Sequence, residues 1–223
     1  MTIQVFDTAS QKIVPLEVGE EVTLYTCGIT PYDAAHIGHA AVYLTFDVLQ
    51  RRLRDLGHRT RCVRNVTDVD DDILRKSREI GCNYLDLAAS EMAKFDRHMG
   101  SLGLIPSHSE PRATSAIPEI LSLIDRLDVA GHVYQSEGVV YFDVESVDNL
   151  GHICHYDEFE MREFAAERGG FPDDPRKRHP LDFVLWQPSL ADEPSWDSRF
   201  GPGRPGWHIE CSALAIREIG ETI

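Results

Sequence analysis

The sequence predicts an α/β fold built on a parallel sheet, and three observations point there. A short β-prone run containing Val22, Leu24 and Tyr25 precedes a helical beat of Ala40, Tyr43, Leu44, Asp47, Val48, Arg51 and Leu56. A second strand-like run follows at residues 60–66, and strand, helix, strand in that order argues for parallel pairing. The turn between the first strand and the helix carries reactive side chains: Cys27-Gly28-Ile29-Thr30-Pro31-Tyr32-Asp33-Ala34-Ala35-His36-Ile37-Gly38-His39. Ligands of such sheets bind at the carboxyl ends of the strands.

The elements read in order as a strand at 23–27, a helix at 36–56, a strand at 60–66, and helices at 71–80 and 84–99. Beyond Pro111 come a helix at 115–130, a strand at 139–144 and a polar, Pro/Gly-rich loop at 169–180. Phe183-Val184-Leu185-Trp186 then leads to a Gly/Pro-rich loop at 201–206 and a helix from about His208. Cys27 and Thr67 both fall at predicted strand ends. No internal repeat or low-complexity tract interrupts this order.

Composition narrows the function classes. The 223 residues suit one large domain or one domain with an insertion, and 42% hydrophobic content is that of an ordinary soluble protein. No run of about 18 apolar residues exists, so no membrane span is expected. Residues 1–14 lack a basic segment followed by an apolar one, so no secretory signal is expected. Five scattered cysteines, an odd number, argue for reduced thiols in a cytoplasm. Net charge is −15. The small basic clusters, Arg51/Arg52/Arg54, Arg59/Arg61/Arg64 and Arg176/Lys177/Arg178, read as solvated faces, although a local patch can bind RNA on an acidic protein.

The reactive turn suggests a nucleotide site. A helix N-terminus presents unpaired N–H groups and a positive dipole end to an anion. His36 and His39 can donate to phosphate oxygens there. Gly38 leaves room for a flat ring or a phosphate. Cys27 adds a soft metal ligand or nucleophile. Downstream, Asp68, Asp70 and Asp72 with Glu79 invite a calcium loop, but Ile73 stands where the tight turn needs glycine. A charged helix N-terminus explains the run instead.

The tetrad His36-Ile37-Gly38-His39 resembles the signature of class I aminoacyl-tRNA synthetases. Cys27-Gly28, Asn65-Val66-Thr67-Asp68-Val69-Asp70-Asp71 and Gly203-Arg204-Pro205-Gly206-Trp207-His208-Ile209-Glu210-Cys211 resemble the cysteine-activating branch of that family. The likeness runs through nearly the whole chain. It implies a Rossmann-like catalytic domain, its first half at 1–110, a connective insertion at 111–180 and the start of a second half at 181–223. It also implies two zinc ligands, Cys27 and Cys211, with an open position for the thiolate of substrate cysteine. Serine forfeits that bond, so no editing step is needed. By the same likeness His36 and His39 stabilise charge on the α-phosphate of Mg2+-bound ATP, with Gly38 in the ATP site. Gly28, Ile29, Thr30, Asn65, Val66, Thr67 and Trp207 line the cysteine pocket. Bland readings stand beside these: Thr67 as a helix cap, Trp207 as a core anchor and the two thiols as buried free cysteines. Cys62, Cys82 and Cys154 match no motif and read as structural.

The branch contains two kinds of enzyme. One attaches cysteine to tRNA. The other joins it to the amine of glucosaminyl-inositol in mycothiol biosynthesis. Four features favour the second: Ile29-Thr30-Pro31-Tyr32-Asp33-Ala34, Ala40-Ala41, Glu167-Arg168-Gly169-Gly170-Phe171-Pro172 and the acidic charge balance. Phe171 and Val42 depart from its pattern, where Asp and Thr are usual. Residues 180–186 and 209–213 fit both. The expected partners are therefore L-cysteine, ATP and an amino-sugar acceptor in preference to tRNA, with no membrane. The family's Lys-Met-Ser-Lys-Ser-type loop and its His-His-Glu segment, which supplies further zinc ligands, are absent. The chain is thus expected to be a fragment of a longer enzyme, the alternative being a non-catalytic binding module that retains a cysteine or nucleotide pocket.

Overall fold

The computed structural model describes residues 3–222. It divides into two compact units, one from the residues up to Glu17 with Leu121–Ile209, the other from Val18–Ile120 with the residues from Glu210 on.

The second unit holds the reactive turn. Strand β3 (Glu21–Ile29) pairs in parallel with β4 (Arg59–Val66), from Glu21 beside Arg59 to Ile29 beside Val66. The register slips between Thr26 and Ile29, so Cys27 and Gly28 sit in an irregularity at the carboxyl end of β3. Parallel bridges from Val63 to Ser109 and from Val66 to Arg112 extend the pairing on the far side of β4. Helix α1 (Ile37–Asp55) connects β3 to β4, and α2 (Asp71–Ile80) and α3 (Tyr84–Ser101) follow. Tyr43, Asp47, Gln50 and Leu53 recur at helical spacing on the buried side of α1. Tyr43 joins Ile29, Val66, Met92, Phe95 and Met99 in a core cluster, meeting Phe95 edge-on at 5.4 Å. Asp70 caps α2 through Ile73 N (2.9 Å), and Asn83 caps α3 through Leu85 N (2.8 Å). The sequence expectation of strand, helix, parallel strand is met here.

The other unit carries a hairpin and an antiparallel sheet. Strands β1 (Gln4–Asp7) and β2 (Lys12–Pro15) pair as the hairpin. Strands β5 (Val133–Ser136), β6 (Val139–Phe142), β7 (Phe183–Gln187) and β8 (Arg204–Pro205) form a four-stranded sheet in that spatial order. The Gly/Pro-rich loop at 201–206 thus contains a sheet edge. Helices α4 (Ile117–Val129) and α6 (Trp207–Ile219) contain the points where the two units divide, and α5 (Glu158–Glu167) has no buried residue.

Tyr134 stacks on Tyr141 at 5.3 Å, and Phe142 on Phe183 at 4.9 Å. Beneath them Asp182, 1% exposed, accepts from Tyr134 Oη (2.6 Å), His179 N (2.8 Å) and Val144 N (3.0 Å). Asp182→Ala strands three donors at once. It is expected to lower stability by about 3 kcal/mol, measured as the shift of the urea unfolding transition.

Among the described residues no helix is long and apolar enough to cross a membrane.

Candidate active site

The site grows from the close approach of β3 and β4 at their carboxyl ends. A Cβ on Gly28 would lie 1.4 Å from the carbonyl oxygen of Asn65, so only glycine lets the strands meet there. Gly28 N donates to Asn65 Oδ1 at 2.8 Å. The same amide donates through Nδ2 to Thr67 Oγ1 (3.3 Å) and to Cys211 Sγ (3.6 Å). Thr67 N donates to the Ile29 carbonyl at 3.0 Å, which closes the end of the sheet. Tyr43 Oη donates to the Cys27 carbonyl at 3.2 Å. The Tyr43 ring is held from the other side by the Arg64 guanidinium, 5.0 Å from its centroid.

Cys27 and Cys211 lie within hydrogen-bonding reach of each other. That contact holds the Cys27 thiol well below its ordinary range against the opposing effect of burial. The same contact, with burial, pushes the Cys211 thiol up. Cys27 is the member of the pair that is open to solvent. Tyr25 lies against them, and burial followed by the two cysteines pushes its hydroxyl up, so it stays protonated. Two converging thiols, one open to solvent, are a donor set that suits a soft metal ion such as zinc. Among the described residues no cluster of three or more His, Cys, Asp or Glu side chains converges to hold a metal ion. The chain thus brings two sulfur donors to the site.

The histidine pair occupies the start of α1. His36 is the N-cap, and its Nδ1 accepts from Gly38 N at 3.1 Å. His39 Nδ1 accepts from His36 N at 3.3 Å. The rings stack with centroids 4.0 Å apart. A Cβ on Gly38 would lie 2.8 Å from His36 Cε1, so the room that glycine leaves is taken by the His36 ring. Because both Nδ1 atoms accept backbone N–H groups, each neutral ring carries its proton on Nε2. Burial and then His36 hold His39 below the usual imidazole range, which keeps it neutral at pH 7. Two Nε2–H donors thus stand at the positive end of a helix.

Of the residues expected from sequence, Cys27, Gly28, Asn65, Thr67 and Cys211 meet through the contacts described, and His36, Gly38 and His39 form a second group. The Ile29 and Val66 side chains lie in the core, so what they offer a ligand is backbone. Thr30 Oγ1 donates to Asp70 Oδ2 at 2.9 Å. Trp207 stands in the other compact unit at the start of α6, 45% exposed, with its ring 5.4 Å from that of His208.

Tyr43 and Tyr25 were not singled out as site residues in the sequence. Tyr43 showed only as one apolar beat of α1, and Tyr25 as one residue of a β-prone run. Asp70 read only as a charged helix start, yet it ties the Thr30 turn to α2. Burial pushes its carboxyl up to about 6, above the 3.8 of a free side chain, against the hydrogen bonds from Ile73 and Thr30. Between about pH 4 and 6 the folded chain therefore binds the extra proton, and stability falls as pH rises through that window. Asp70→Asn keeps the cap without the charge and is expected to flatten this slope, read from urea midpoints at both ends of the window.

Comparison with known proteins decides the family. Residues 13–223 match the profile of the tRNA synthetases class I (C) catalytic domain. The chain belongs to that family. It is 44% identical to the L-cysteine:1D-myo-inositol 2-amino-2-deoxy-alpha-D-glucopyranoside ligase 2 of Corynebacterium jeikeium, over 98% of this chain and 54% of that protein. It is 45% identical to the corresponding ligase of Corynebacterium kroppenstedtii, over 98% of this chain and 43% of that protein. With that of Mycobacterium ulcerans it shares 43% over 98% of this chain and 54% of the other. The chain thus spans about half the length of the curated relatives it matches. Its fold is similar to that of Mycobacterium tuberculosis methionyl-tRNA synthetase, solved with methionyl-adenylate. The TM-score is 0.62 at 14% identity, covering 92% of this chain and 48% of that one. A putative arginyl-tRNA synthetase of Campylobacter jejuni gives a TM-score of 0.51 at 13% identity, covering 92% and 46%. The α/β class I catalytic fold expected from the His36–His39 tetrad is therefore present.

Proposed function

We propose that this class I catalytic domain belongs to an ATP-dependent ligase that activates L-cysteine and transfers it to the amine of glucosaminyl-inositol, in the cytoplasm. The observation that carries the reading is its 42–45% identity, over 98% of its length, to proteins named as L-cysteine:glucosaminyl-inositol ligases.

The residues support each step. ATP, entering with Mg2+, places its α-phosphate at the start of α1, where His36 and His39 donate from Nε2. The cysteine carboxylate attacks that phosphorus, the bond to the β-phosphate oxygen breaks, and pyrophosphate leaves. The fixed donors stabilise the charge that develops and need no reorganisation in the step. Gly28, Thr30 and Thr67 border the cysteine, with Ile29 and Val66 contributing backbone. Cys27 and Cys211 would hold zinc, with further ligands from elsewhere in the protein, and its open position would take a thiolate in preference to a hydroxyl. The sugar amine then attacks the adenylate carbonyl, loses a proton and displaces AMP, forming an amide. Holding donor and acceptor in one crevice supplies the proximity gain.

The test is product identity. With cysteine, ATP and glucosaminyl-inositol, a protein carrying this domain and its second half is expected to release AMP and form a base-stable cysteinyl amide. Formation of a base-labile ester on tRNA instead, with salt-sensitive tRNA binding, would assign it to the tRNA-charging members of the family.

A further inference from the structure

Asn65 is 1% exposed, yet its side-chain amide engages three residues of the site. Its oxygen accepts from Gly28 N at 2.8 Å. Its two N–H groups go one each to Thr67 Oγ1 at 3.3 Å and Cys211 Sγ at 3.6 Å. Cys211 lies 146 residues further along the chain, on α6. Since an amide nitrogen has two protons to give, both are committed here. A side chain with one acceptor and two donors on a planar head thus serves a backbone N–H, a hydroxyl and a sulfur at once.

We infer that Asn65 is a positioning residue that presents Cys211 to a soft metal ion in register with Cys27 and Thr67, and that it does not itself touch substrate. The inference rests on the two-thiol reading of Cys27 and Cys211. Three consequences follow from the contacts. The bond to Gly28 fixes the irregular end of β3 from which Cys27 projects. The bond to Thr67 fixes the end of β4. The N–H aimed at Cys211 leaves that sulfur an acceptor, with lone pairs for a metal, and restrains its rotamer. Donors of this kind, bonded to metal ligands, are typically worth 10–100-fold in metal affinity.

Cadmium binding provides a readout independent of turnover, because cadmium bonded to thiolate absorbs in the near ultraviolet. The wild-type 223-residue chain is titrated with Cd2+ beside Asn65→Ser, which removes both amide donors, is too short to reach Cys211 and adds no charge to the site. Expected is one thiolate-bound cadmium in the wild type and an affinity lower by about 10–100-fold in Asn65→Ser. A variant that merely loosens the fold would shift the urea midpoint in proportion, so the midpoint is measured on the same samples. If Asn65→Ser does not fold, Asn65→Ala replaces it. Equal cadmium affinity in wild type and a folded variant would overturn the role of Asn65 while leaving the two-thiol centre standing. No thiolate-cadmium absorbance in the wild type would overturn the two-thiol centre and the inference with it.

Discussion

His39→Ala is expected to lower cysteine-dependent pyrophosphate exchange by about 10²–10³-fold, the usual cost of losing one fixed donor to a developing charge. His39 Nδ1 accepts from His36 N, so the proton of the neutral ring sits on Nε2, away from the backbone. Shorter and longer amides separate the two nitrogens. The oxygen of asparagine lies where Nδ1 lies, so His39→Asn can keep the helix cap but loses the outward donor. The amide nitrogen of glutamine reaches where Nε2 lies, so His39→Gln can keep the donor and loses the cap. Exchange retained in His39→Gln and lost in His39→Asn would assign the ring to phosphate binding. The reverse order would make it a helix-capping residue. Because His39 is held below the ordinary imidazole range by burial and by His36, the rate should not require an imidazolium. It should therefore hold level from pH 7 upward where this group alone is concerned.

The second large effect concerns Cys27. Cys27→Ser exchanges the exposed thiol of the pair for a hydroxyl of similar size and leaves the carbonyl that accepts from Tyr43 in place. A site that binds a substrate through one specific polar bond discriminates by about 10⁴–10⁵-fold against the analogue that cannot make it, whereas shape alone gives about 10–200-fold. Cysteine is therefore expected to be preferred over serine on the larger scale in the parent protein and on the smaller scale in Cys27→Ser. The check is the ratio of exchange rates with the two amino acids. Since Cys27 projects from an exposed strand end, folding should be little affected, and an unchanged urea midpoint accompanies the prediction.

Much of this was legible in the sequence because the elements that build the site are strongly patterned. β3, α1 and β4 announce themselves by a β-prone run, a 3.6-residue beat and a second strand-like run. The elements that went unread give no such signal. α5 has no buried residue and so no apolar stripe. The β1–β2 hairpin is four residues a side and largely solvent-facing, and β5 is equally short. Within the site, residue types at strand ends marked Cys27, Thr67 and the histidines. What joins them was not readable, because hydrogen bonds such as that from Asn65 to Cys211 depend on the packing of α6 beside β4 and not on spacing. The use of Gly38 to seat the His36 ring was hidden for the same reason. The motif names a small residue, but only coordinates show which atom fills the space.

The central claim is that this domain activates cysteine as its adenylate, and cysteine-dependent exchange of labelled pyrophosphate into ATP tests it most directly. The measurement is made on the 223-residue chain and on a protein that carries it together with a second half, with serine as control. The account predicts exchange with cysteine and not with serine in the longer protein, and none in the chain alone. Exchange by the chain alone would contradict the expectation that essential parts lie elsewhere. Absence of exchange in both, with ATP or metal still stabilising the fold, would contradict the central claim and leave a domain that binds without catalysing.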